Sequence, residues 1–114
     1  MKLIKESKER SWYLVKEWVT ESGLKARVCQ CVWNDEVQKI TSLDDHFTGY
    51  VKVPEGLDFE VKDIDVHGGV TFDNTIDGEE GRWIGFDYAH YGDEGGGSLE
   101  EAERECELLA TQLK

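Results

Sequence analysis

The sequence predicts an α+β fold: an antiparallel sheet of about five strands with one C-terminal amphipathic helix packed on a face. Three observations predict it. Runs of β-branched and aromatic residues, punctuated by Gly, Pro and polar turns, recur from Trp12 to Tyr91. Apolar residues at helical spacing appear only near the C-terminus. At 114 residues, with 39% hydrophobic and 33% charged side chains, the chain can bury one core and forms a single domain, residues 1–114.

Trp12 to Thr20 (WYLVKEWVT) reads as the first strand. Glu21-Ser22-Gly23 is a turn, and Leu24 to Trp33 (LKARVCQCVW) returns as its hairpin partner. Asn34 to His46 is polar and fits a short helix or a loop equally well. Thr48 to Val53 is a third strand, stopped by Pro54, the only proline, and Gly56. Ile64 to Phe72 and Arg82 to Tyr91 are two more strands around the acidic connection DNTIDGEEG. After Glu94-Gly95-Gly96-Gly97, Ser98 caps a helix and Glu101 completes a Ser-x-x-Glu box. Leu99, Ala102, Cys106, Leu109, Ala110 and Leu113 form its apolar face.

The net charge of -12, from 25 acidic and 13 basic side chains, argues against direct nucleic-acid binding, which needs clustered Lys and Arg. It suits a solvated acidic surface, or an acidic partner for a basic host protein. No apolar run reaches the roughly 20 residues that span a bilayer, and the start lacks a signal-peptide core, so a cytoplasmic protein is expected. Three cysteines argue against a disulfide scaffold; buried reduced thiols are expected, with a Cys29/Cys31/Cys106 zinc site as the alternative. No cofactor is implied.

Two stretches stand out, Val66-His67-Gly68-Gly69-Val70-Thr71-Phe72 and Trp83-Ile84-Gly85-Phe86-Asp87-Tyr88-Ala89-His90-Tyr91-Gly92-Asp93. Each sets His, Asp and Gly in a strand-like apolar run, where glycine weakens the strand and an ionisable group is costly to bury. Strand alternation puts Asp65, His67, Gly69 and Thr71 on one face, and Trp83, Gly85, Asp87 and Ala89 on the matching face of the partner. The expected register sets His67 opposite Asp87, Gly69 opposite Gly85, and Thr71 opposite Trp83.

In that register Asp87 orients His67 for acid–base work, and His90 supplies a second acid or a charge stabiliser. Gly68, Gly69 and Gly85 form a bare floor, walled by Thr71 and Trp83, with Asp93 above as a further ligand contact. Gly85→Val would then fill the site without loss of stability. The structural alternatives are an ordinary surface His–Asp contact worth about 0–1 kcal/mol, glycines that mark bulges, and a strand-end turn at His90 and Asp93. His67, Asp87, His90 and Asp93 are also acceptable zinc or manganese ligands, although their spacing matches no metal motif. Trp12, Trp18 and Trp33 are assigned to packing.

These two motifs, with Gly49-Tyr50-Val51-Lys52-Val53-Pro54-Glu55-Gly56 and the C-terminal Glu105 to Leu113, resemble a family of small bacteriophage and prophage proteins. The similarity covers about the last two thirds of the chain. Family members often carry a histidine after the Pro-x-Gly step. Leu57 stands there in this chain, which weakens a three-histidine metal scheme. The resemblance implies a phage accessory protein in the host cytoplasm and brings no reaction with it.

The expected function is therefore a phage accessory protein that counteracts host defence. Its His/Asp/Gly pocket binds, or hydrolyses, a small metabolite or nucleotide-type signal. The alternative is an acidic, non-enzymatic inhibitor occupying the basic nucleic-acid-binding surface of a host nuclease, as an anti-CRISPR protein does. Homo-oligomerisation is compatible with either. The pocket lacks positive charge for a nucleotide: Arg82 is the one basic residue in or beside the motifs.

Overall fold

The computed structural model describes residues 2–33, 46–76, 79–88 and 97–113. Six strands form one antiparallel sheet: β1 (Lys2–Glu6), β2 (Arg10–Val19), β3 (Lys25–Trp33), β4 (His46–Lys52), β5 (Phe72–Asn74) and β6 (Trp83–Asp87). Their spatial order is β1-β2-β3-β4-β6-β5. Helix α1 (Leu99–Thr111) lies across one face, against β4 and β3. The α+β class is as expected; the sixth strand, β1, was not.

The β2–β3 hairpin closes where the sequence places it. Gly23 adopts φ 93°, and the Thr20 hydroxyl accepts the Leu24 N–H at 3.0 Å. In β2 the pairing shifts between Leu14 and Lys16, so Val15 is an extra, bulged residue. Trp12 and Leu14 therefore share a face with Cys31 and Cys29, whereas Lys16 and Trp18 share the helix face with Val28 and Ala26. A second irregularity at Ile4 places Lys2 opposite Leu14 and Lys5 opposite Trp12, so both lysines join the face away from the helix.

The core is the helix face of the sheet. Val28, Val51, Ile84, Phe86 and Tyr88 meet Ala102, Cys106, Leu109, Ala110 and Leu113 of α1. The Ser98 hydroxyl accepts the Glu101 N–H at 3.2 Å and starts the helix as the sequence predicts. At its other end Gln112 is the C-cap, and its amide grips both backbone groups of Asp65 at 2.7 Å.

That last contact replaces an expected strand. Ile64 to Val70 does not pair with β6. A short 3-10 turn at Val61–Asp63 precedes it. Gly68 and Gly69 then take φ 68° and 80°, and the Gly69 N–H closes a turn onto the Val66 carbonyl at 2.8 Å. Two consecutive left-handed residues break an extended run, and only glycine adopts that backbone without strain. Ile64 and Val66 still bury themselves, but in the core by the helix end rather than in the ladder. The expected strand shrinks to β5, Phe72–Asn74.

Candidate functional site

β5 pairs with β6 through Phe72↔Gly85, Asp73↔Ile84 and Asn74↔Trp83. This register differs by three residues from the expected one. An odd shift exchanges the faces, so the His67–Asp87 pair does not form across a ladder. His67 instead stacks on Tyr88, with ring centroids 4.3 Å apart, on the helix side of the sheet. Asp87 points to the other side and accepts the Thr71 hydroxyl at 2.9 Å, while the Thr71 N–H donates to the Gly85 carbonyl. Thr71, Gly85 and Asp87 are thus brought together; His67, Gly68 and Gly69 are not with them. His90 and Asp93 lie outside the described residues.

The glycine floor is corrected as well. Tyr50, Gly85 and Phe72 stand in one row across β4, β6 and β5. The Tyr50 and Phe72 rings meet edge to face over the glycine, with centroids 5.2 Å apart. Gly85 is therefore roofed by aromatic rings. Trp83, expected as a wall, is fully buried beneath the Arg27 guanidinium, whose carbon lies 5.2 Å from the indole centroid.

The cysteines do not converge. Cys29 and Cys31 lie on the face away from the helix, while Cys106 contacts the Arg27 carbonyl from the helix side. The sheet separates them, so one ion cannot be held by all three. Burial pushes the Cys29 and Cys106 thiols up to about 12, with Arg27 partly opposing the shift at Cys29. Among the described residues no group of three His, Cys, Asp or Glu side chains is placed to hold a metal.

What the fold does build is a cleft on the face that α1 leaves uncovered. The sheet curls until its two edges, β1 and β5, line the same hollow of about 780 Å³. Its aromatic lining is Trp12, Tyr50 and Phe72, and its cations are Lys2, Lys5, Arg10 and Arg27. Lys5 Nζ and the Arg10 guanidinium carbon stand 5.0 and 4.8 Å from the Trp12 centroid. Arg27 holds the opposite end, ion-paired to Glu17 and Glu79. Trp12 pairs with Cys31 of β3, four residues from Arg27, so the backbone rows of the two ends are about 13 Å apart along the strand at the usual rise.

Among the described residues, four of the chain's 13 basic side chains line this hollow, against the single carboxylate of Glu79. Such a concentration of positive charge in a molecule of net charge -12 is the electrostatic opposite of its surroundings. The alternation Arg10-x-Trp12-x-Leu14 along β2 was the sequence signal for it. The contribution of Lys2 and Lys5 was not readable, because it depends on a bulge. A second hollow, of about 640 Å³, lies among the turns at Gly23, Gly56 and Gly81, but among the described residues its lining has no aromatic side chain.

Comparison of the chain with protein-family models, curated proteins and solved structures finds no match. No helix among the described residues is long and apolar enough to cross a membrane.

Proposed function

We propose that this protein binds a small, planar, anionic ligand of nucleotide type in the concave face of its sheet. The observation that carries this reading is the meeting of Trp12, Tyr50 and Phe72 with Lys2, Lys5 and Arg10 in one hollow of about 780 Å³. That volume is within the range of small-molecule sites. An aromatic ring stacks on Trp12, Tyr50 or Phe72, and an anionic group meets the lysines and Arg10. The positive charge that the His/Asp/Gly motifs lacked comes from the N-terminal hairpin.

Among the described residues the lining carries no histidine, and its carboxylate, Glu79, is engaged by Arg27. The reading is one of binding, carried by stacking and charge. For the phage accessory protein that the resemblance implies, the corresponding role is sequestration of a host nucleotide signal.

Isothermal titration with AMP, GMP and UMP, and fluorescence titration with 1-anilinonaphthalene-8-sulfonate (ANS), test the reading. At least one mononucleotide and the dye are expected to bind saturably. Trp12→Ala and Arg10→Glu should each weaken binding about tenfold or more, the order of one lost stacking or charge-assisted contact. Their melting temperatures should stay within a few degrees. Binding that ignores both substitutions, or no binding of any of the four probes, would overturn it.

A second reading, the acidic inhibitor of a basic nuclease surface, draws on the outward carboxylates of α1. Glu100 and Glu101 are exposed in its first turn.

A further inference from the structure

Arg27 occupies an unusual position in the hollow. It is nine-tenths buried, it lies over the Trp83 ring, and two carboxylates hold it from different elements. Glu17 reaches it from the neighbouring strand β2 and is not part of the cleft lining. Glu79 comes from the connection between β5 and β6, two strands beyond β3 in the sheet, and does line the cleft. The Glu79 N–H donates to the Ile76 carbonyl at 2.9 Å. The connection thus reaches over β4 to place a carboxylate on a cation at the far end of the hollow.

Beneath this pair the polar set is incomplete. The Trp83 indole N–H is buried and has no acceptor among the described residues, although a buried donor ordinarily has one. We infer that Arg27 is a second anion subsite of the ligand cleft, and that Glu79 is its displaceable internal occupant. The inference rests on the binding reading above and adds to it the class of ligand: a planar molecule with two separated anionic groups, one for the Lys5–Arg10 end and one for Arg27.

Charge decides the exchange. Arg27 already balances two carboxylates, so a third anion cannot join them without strong repulsion in a partly desolvated site. The ligand's second anion must therefore displace Glu79, whose side chain swings into solvent. Glu17 stays. A ligand with one anionic group, satisfied at the Lys5–Arg10 end, leaves the Arg27–Glu79 pair closed.

Two dyes of the same chemistry separate these cases: ANS, with one sulfonate, and bis-ANS, with two. In the Glu79→Gln variant bis-ANS should bind about tenfold more tightly than in the native protein, the order of one charge-assisted hydrogen bond no longer contested. ANS affinity should stay within about twofold, because its one sulfonate is satisfied at the Lys5–Arg10 end. Glu79→Ala serves as the second variant and should match Glu79→Gln. If ANS binds through Trp12 but neither Glu79 variant tightens bis-ANS, the displaceable-occupant assignment is wrong and the binding reading survives. If neither dye binds the native protein or the variants, the two-anion assignment falls, and the mononucleotide titrations decide the binding reading.

Discussion

At the scale of single residues, two glycines are determined by what crosses above them. A methyl group on Gly85 would sit 2.5 Å from the Gly49 carbonyl oxygen and 2.6 Å from the Tyr50 ring. One on Gly49 would sit 2.4 Å from the Phe86 ring and 2.9 Å from Cys106 Sγ. Gly85→Val, tolerable over an open floor, is therefore expected to destabilise the fold. Gly85→Ala should already cost about 1–3 kcal/mol, read by chemical denaturation, because backbone as well as a ring must move. An unchanged midpoint would mean that the Tyr50–Phe72 roof is not closed. The buried thiols give a second expectation. Thiols held near 12 when folded ionise in the unfolded chain from about 8.5 upward. The unfolded state then binds fewer protons, so stability present below pH 8 falls as pH rises from about 9 toward 12. Cys29→Ala should flatten that alkaline loss in a pH series of melting curves. In the native protein at pH 8, Cys29, Cys31 and Cys106 should resist a thiol reagent and react only on unfolding.

At the scale of elements, the helix was legible and the fourth expected strand was not. The stripe Ala102, Cys106, Leu109, Ala110 and Leu113 is buried as its spacing predicts, with Leu99 partly so. Leu109 has no exposed surface, so Leu109→Ala should cost about 2–5 kcal/mol in thermal or denaturant unfolding. Ser98→Ala should cost about 1 kcal/mol through the lost cap. The Ile64 to Thr71 segment misled because its apolar residues alternate as a strand's do. Its backbone is satisfied instead by Gln112 and by a glycine turn. His-Gly-Gly marked that break in extension, and the consequence for register was a shift of three residues. The missed strand β1 is exposed along its whole length, so it lacks the half-buried pattern by which strands are recognised.

At the scale of the whole molecule, the distribution of charge matters more than its sum. The net -12 describes the surface, while the hollow gathers Lys2, Lys5, Arg10 and Arg27. The two readings of function therefore differ in salt dependence. A ligand held in the cleft is expected to lose only a few-fold in affinity between 50 and 200 mM NaCl, since partly buried pairs are weakly screened. Occupancy of a basic nucleic-acid surface by scattered carboxylates should weaken far more steeply over the same range, as multi-contact charge binding does. Titration of ANS and of any captured basic partner across that range distinguishes them.

The sequence by itself determined the α+β class, the β2–β3 hairpin with its turn, the capped C-terminal helix and the residues of its buried stripe. These follow from local rules: turn chemistry, capping, and a periodicity that one element satisfies alone. Only the tertiary structure decided which side chains share a site. Bulges at Ile4 and Val15 turn Lys2, Lys5, Trp12 and Leu14 to the concave face, and the Gly68–Gly69 turn sends His67 to Tyr88 and away from Asp87. Side-chain facing has a period of two. One inserted residue or one odd shift in pairing therefore exchanges the faces, and the curl of the sheet then sets which residues meet across the hollow.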